Sequence, residues 1–585
     1  MRSTRRGDDC ASLALLALAC ALFALGCRDP YPHPRFLGAG NETPRRGGTL
    51  RFAMDSDVST ADPALAQDTV ALIVARLVYD GLVDYAPGST AIVPALAERW
   101  EVSGDGLVYT FHLRPGARFS NGRTVTAQDF VYSWERLLNP HRIASPGAEN
   151  YRGIDGYDDY REGRAAHLRG VAALDAHTLT VRLSKSDGTF LHVLAMRYAA
   201  PIPHEVVERI GDDRFGVEPV GAGAYRVERW EKGSRIVFRR NPHYWNAPRP
   251  WLDRIVFEES IARHLQFMRF VAGEMEYAHT YSLAAADLLW LSRNDAWRHR
   301  VVRTPIAAVG AFMMNTEMRP FDNVHVRRAV TFAIDREALS RARNRRILPA
   351  WSLYPPAIPG HRDDPPNRQR YDLDAARREM RSAGYPDGYP DEVDLWIGGG
   401  ETGLLYGQII QADLRRIGLR TRIRQASSSI YYSSLGRRHS IQMGFTAWNM
   451  DYPDPANFIE PNFHSRGIRN ENSTNYSFYR NPALDDLLDR GRTEADPARR
   501  VAMYQEAEQH LLRDAPWAFL YNTVDVNVLQ PYVRGWQHHP VWAHYVGDAW
   551  LDLPLRAWTE SERSRQASFG PLAMFASPFA RGGSR

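Results

Sequence analysis

Leu107-Val108-Tyr109-Thr110-Phe111-His112-Leu113, then Asn121-Gly122, then Thr126-Ala127-Gln128-Asp129-Phe130-Val131-Tyr132-Ser133-Trp134 is the stretch from which the fold is read. Leu107, Tyr109, Phe111 and Leu113 alternate with polar or exposed positions, which predicts a strand with one buried face. Asn121-Gly122 marks a turn. Thr126 and Asp129 have the spacing of a capping box, and Phe130, Val131, Trp134, Leu137 and Leu138 then fall on one side of a helix. The same mixture continues outward. A strand is expected over Thr49 to Met54, and helical spacing of apolar residues runs from Ala64 to Tyr79. Asp374 reads as a helix cap with Gly384 closing that helix, and Asp496-Pro497 starts a late helix carrying Val501, Tyr504, Leu511 and Leu512. Strands and helices are interleaved without an internal repeat, so the class is α/β.

A chain of 585 residues exceeds what one hydrophobic core supports, so two or more lobes are expected. Formal net charge is +5; removing residues 1–27 takes away three Arg and two Asp and leaves about +4. Spread over so large a surface, that charge is no nucleic-acid signature, and no nucleic-acid partner is expected. All three cysteines, Cys10, Cys20 and Cys27, lie in the first 27 residues. Arg2, Arg5 and Arg6 precede an Ala/Leu run from Ala11 to Gly26 that is short for a bilayer and fits the apolar core of an export signal. Ala24-Leu25-Gly26-Cys27 resembles a bacterial lipoprotein signal, with Ala24 where a Leu is usual. Residues 1–27 are therefore expected to be a lipoprotein-type signal peptide with Cys27 as the lipidation site; a plain signal peptide is the alternative. Cleavage leaves at most Cys27, so neither disulfides nor a cysteine-ligated metal can organise the body. Residues 28–46, rich in Pro, Gly and charge, read as a tether, and 556–585 as a flexible tail.

Motifs of bond-breaking chemistry are absent or broken. His204-Glu205-Val206-Val207-Glu208 lacks the second His of a zinc-protease helix. Gly221-Ala222-Gly223-Ala224-Tyr225-Arg226 lacks the third Gly of a dinucleotide loop. There is no phosphate-cradling Gly-Lys-Ser/Thr, no Gly-x-Ser-x-Gly elbow and no cysteine nucleophile. His538-His539 could touch a metal but reads more simply as a solvated loop pair. The expectation is a protein that is no enzyme, with no metal and no cofactor.

Several segments, in order, resemble the oligopeptide- and dipeptide-binding proteins that serve ABC importers. They include Asp62-Pro63, Val78-Tyr79-Asp80-Gly81-Leu82, Pro94-Ala95-Leu96-Ala97-Glu98-Arg99-Trp100, Tyr109 to Arg114, and Thr126 to Trp134. Later come Asn241-Pro242-His243-Tyr244-Trp245, Pro320-Phe321-Asp322, Ala333-Ile334-Asp335-Arg336, and Trp448-Asn449-Met450-Asp451-Tyr452-Pro453-Asp454-Pro455. The likeness spans about Gly47 to Leu555. It implies a bilobal periplasmic-binding-protein clamp with an inserted extra domain. Lobe I would be discontinuous (47–79, 204–305 and 522–555), the inserted domain II would span 80–203, and lobe III 306–521. It further implies capture of short peptides between closing lobes, delivery to ABC permease subunits, a monomer, and a periplasmic or envelope location through a lipid anchor.

The same resemblance implies the site. Asp451, three residues after Trp448, would receive the ligand's α-ammonium group, since a carboxylate in a water-poor cleft selects cationic ends. Trp448 would line the cleft beside it, Tyr521 would bond ligand backbone, and the loop Ala66-Gln67-Asp68-Thr69 would present groups to the ligand, with Gln67 and Thr69 as contacts. Asp454 reads as a turn residue. Phe445 stands where some members carry an Arg for the peptide carboxylate, Ser428 where a Trp is found, and Gly147 where a Tyr is found. The amine end of the site is thus kept and the carboxylate end altered. That leaves open a non-peptide amine or a metal chelate as cargo, and behind those a hydrolase or scaffold descended from a binding protein.

Overall fold

Two long strands, Val301–Met314 and Trp517–Leu529, organise the molecule. The computed structural model describes residues 38–398, 401–542 and 544–553. Cys27 with the rest of the leader, the tether up to residue 37, and the tail 556–585 lie outside the described residues. The two strands are antiparallel, with Val301 opposite Val528 and Met313 opposite Trp517. Their register slips where Pro305 faces Val524 and Val309 faces Asn522, so three residues on one strand oppose Thr523 alone. Pro305 has no N–H to contribute to a ladder, which suits this break.

On one side of the break Tyr277–His279 joins the sheet, pairing with Asn527 to Leu529. Helices Arg263–Val271 and Ala285–Arg293 cover it, and Phe267, Phe270, Leu288, Leu291 and Trp297 pack with Val524, Val526 and Val528. On the other side Met443–Asn449, Val393–Ile397 and Thr421–Gln425 extend the sheet, and Ile347–Pro349 pairs at its edge. Here both faces are buried. Val309, Ala311 and Met313 enter one core with helices Pro455–Phe463 and Pro497–Asp514; Phe312 and Met314 enter another with helices Val324–Ala333 and Glu401–Arg415. Burial on both sides is why residues 306–314 form a continuous apolar run rather than alternating.

Two smaller sheets complete the body. Thr49–Ala53, Arg254–Glu258, Arg235–Arg240 and Tyr225–Glu231 form one, packed with helix Thr69–Val78 through Phe52, Val74, Val78, Phe238 and Phe257. Ala97–Val102, Val108–Leu113, Thr178–Arg182 and Val171–Ala173 form the other, an antiparallel sheet under helix Ala127–Leu138. The mixed α/β reading therefore holds. Tyr109, Phe111 and Leu113 are buried in alternation, and the Asp129 carboxylate accepts from the Thr126 backbone N–H at 2.8 Å to close the capping box. Asp496 caps helix Pro497–Asp514. One cap differs: Asp372, not Asp374, accepts from Ala375 N at 2.8 Å and starts helix Leu373–Ser382. Both aspartates satisfy the sequence pattern, but only the extended backbone at Asp372 turns its carboxylate toward the free N–H groups.

Two ion-pair knots tie the units together. Arg136, on the helix packed against the antiparallel sheet, donates from Nη1 to Asp62 at 3.1 Å and from Nε to Asp212 at 2.7 Å. Arg492 donates to Asp187 at 2.8 Å and to Glu460 at 2.7 Å, while its carbonyl accepts from Gly188 N at 3.0 Å.

Candidate functional site

A cavity of about 310 Å³ opens where the register of the long strands slips, with Ile306, Ala307 and Thr523 in its wall. Helix Thr69–Val78 supplies one side. Asp68 caps it, accepting from Ala71 N at 2.8 Å, so Gln67 and Thr69 are set at the cavity edge with exposed side chains. Thr69, Leu72, Ile73, Arg76 and Leu77 then recur at helical spacing along the cavity wall.

Asp451 faces this wall from across the gap. The strand Met443–Asn449 delivers it: Met450 N donates to Ala307 O at 2.9 Å, pinning the next residue beside the break in register. Asn457, buried in helix Pro455–Phe463, then holds Asp451 at two points. Its Oδ1 accepts from the Asp451 backbone N–H at 2.9 Å and its Nδ2 donates to the Asp451 carboxylate at 3.0 Å. Asp451 lines the cavity as an exposed residue, with protein packed around its carboxyl on the remaining sides. The resulting desolvation raises its pKa, and the Asn457 bond offsets only part of the rise. Among the described residues no Arg, Lys or His pairs with it within 4 Å. Tyr198 lines the cavity close by, its phenol pushed up first by burial and then by the Asp451 charge.

The remaining expected residues lie elsewhere. Trp448 does not line the cavity; it is half-buried against the core that holds Val309 and Phe458, and its Nε1 donates to Asn457 Oδ1 at 3.4 Å. Trp448 thus touches Asp451 through a shared partner. Tyr521 sits on the opposite face of the sheet. Its ring lies over Gly310, where a Cβ would overlap it, stacks with Phe445 at 6.3 Å and is tilted against Tyr406 at 5.4 Å. Asp454 caps helix Pro455–Phe463 and pairs with Arg500, a structural role.

Sequence reasoning missed the wall contributed by residues 539–546. Trp542 lies 4.0 Å beneath the Arg76 guanidinium, with Tyr545 at 4.7 Å, and its Nε1 donates to Asp84 at 3.2 Å. Arg76 and Arg197 also line the cavity, and both bond Asp84, at 3.2 and 2.7 Å. The signal was the density of rings from Trp536 to Tyr545, of which only His538-His539 drew notice. His539 bonds Ala86 O at 3.1 Å, and burial brings its pKa down to about 4. Among the described residues no group of three His, Cys, Asp or Glu has a metal-holding arrangement. Asp525, buried on the strand Trp517–Leu529, was missed altogether, although it lines the cavity with Thr280 and Thr523.

Set beside known proteins, residues 91–470 match a family model described as bacterial extracellular solute-binding proteins, family 5. The periplasmic oligopeptide-binding protein OppA of Salmonella typhimurium is 29% identical over 499 residues, covering 82% of this chain and 88% of that one. Heme-binding protein A of Haemophilus influenzae is 28% identical, covering 79% and 85%. Among solved structures, the clavulanic acid biosynthesis oligopeptide binding protein 2 superposes with a TM-score of 0.78 at 28% identity, covering 89% of this chain and 98% of that one.

Proposed function

This chain belongs to family 5 of the bacterial extracellular solute-binding proteins, and from that membership we propose that it captures short peptides for an ABC importer. The cavity at the strand crossing is the ligand chamber, and Asp451 receives the peptide's α-ammonium group. One observation carries this reading: a carboxylate positioned by a neutral amide, with no Arg, Lys or His within 4 Å among the described residues, lines the cavity, and the protein around it raises its pKa. Such a group is unfavourable while empty and gains most from a hydrogen-bonding cation. Gln67 and Thr69 contact the bound peptide from the opposite wall. Trp448 acts on Asp451 through Asn457, and Tyr521 packs with Phe445 and Tyr406 away from the cavity lining.

In this reading residues 47–79, 204–305 and 522–555 make one lobe, 306–521 the other, and 80–203 an inserted domain. Cys27 carries a lipid that tethers a monomer at the envelope membrane, where permease subunits receive the cargo. The named relatives are an oligopeptide-binding and a heme-binding protein, so a metal chelate or a non-peptide amine in the same clamp is the second reading. Calorimetry with di- to pentapeptides separates the two. Peptides should bind, and Asp451→Asn should weaken them more than tenfold, about 1.4 kcal/mol or above. Unchanged affinity in the variant removes Asp451 from the site, and no heat from any peptide defeats the peptide reading.

A further inference from the structure

We propose that Asp525 forms a second anionic subsite in this chamber, so that the preferred cargo carries two cationic groups. This rests on the peptide reading: the α-ammonium meets Asp451, and a lysine or arginine side chain at the first position reaches Asp525.

Geometry supports the pairing. Asp525 sits on the strand Trp517–Leu529 opposite Thr304, and Asp451 follows the strand Met443–Asn449 next to Ala307. The strand Val301–Met314 runs between those two. Two inter-strand spacings, about 10 Å, therefore separate the strands that carry them across the sheet, and both side chains line the same chamber. An extended lysine or arginine places its side-chain charge about 7 Å from the α-nitrogen. Adding a charge-assisted contact of about 2.8 Å at each end spans the interval.

Charge supports it too. Asp525 is 4% exposed and lies in the wall beside the hydroxyl residues Thr280 and Thr523. Burial alone would push its carboxyl up. The His538 contact at 3.6 Å, the nearby His544, Thr280 and the 2.8 Å bond from Asn527 outweigh burial and keep it ionised. No arginine or lysine pairs with it among the described residues. The two arginines of the wall are committed to Asp84. His539, brought down to about 4 by burial, adds no positive charge at neutral pH, and His544, shifted down by burial, interacts with Asp525 itself. The chamber thus has two anions and no uncommitted cation among its described lining residues.

Calorimetry with Lys-Ala-Ala, Nε-acetyl-Lys-Ala-Ala and Ala-Ala-Ala tests this on the unaltered protein. Lys-Ala-Ala should bind about tenfold tighter than the other two. In Asp525→Asn the gap should shrink to about twofold. Equal affinities in the unaltered protein, or a gap that persists in Asp525→Asn, overturn the proposal. If no tripeptide binds, the peptide reading falls, and 1,5-diaminopentane against pentylamine decides this one. Tighter diamine binding that Asp525→Asn abolishes upholds it, and equal binding overturns it.

Discussion

Asp451 makes its strongest statement in the empty protein. Its carboxyl pKa is raised by desolvation, so the folded state holds a proton more firmly than the unfolded chain does. Between those two pKa values and above, ionisation in the cavity works against folding, and stability rises as pH falls through the raised value. Asp451→Asn should therefore leave the ligand-free protein at least as stable at neutral pH, with Tm raised on the order of 1 °C by scanning calorimetry. Peptide affinity should show the opposite pH trend, full above the raised pKa and falling as acid neutralises the carboxylate. A destabilised Asp451→Asn apoprotein would mean the side chain serves the fold instead. At this scale the sequence was partly legible. The Trp448-x-x-Asp451 spacing pointed to a residue that does face the cavity. Asp525 was invisible because an isolated Asp between valines has no local pattern; the pairing of distant strands is what brings it to the same chamber.

Elements were read more fully than side-chain roles, for a physical reason. Alternation at Tyr109, Phe111 and Leu113 and the Thr126–Asp129 box are local signals, and local hydrogen bonds and burial obey them. The misplaced cap at Asp374 shows the limit, since two aspartates two residues apart compete and backbone conformation decides. The Gly221-Ala222-Gly223 turn needs its glycines for a contact that no local pattern reveals. A Cβ on Gly223 would stand 2.5 Å from the Val78 carbonyl carbon and 2.6 Å from Tyr79 N, at the end of the helix that walls the cavity. Because backbone is the obstacle, relief requires moving that helix end. Gly223→Ala should cost about 2–3 kcal/mol in denaturant unfolding, whereas Gly116→Ala, with open space around it, should cost little.

Across the whole molecule, the units that flank the cavity also meet at Arg492. Its bonds to Asp187 and Glu460, with the Gly188–Arg492 backbone contact, bridge the domain bearing the antiparallel sheet to the half built on the long strands. Arg492→Ala should loosen that bridge. Small-angle scattering of the ligand-free variant should give a larger radius of gyration, and peptide affinity should fall severalfold without loss of the fold. An unchanged radius would confine Arg492 to local packing. The slip in register at Pro305–Val309 has a mechanical consequence as well. Ile306, Ala307 and Thr523 line the chamber at a place where the two long strands lose their pairing register, so any bend in that joint reshapes the wall against the guest.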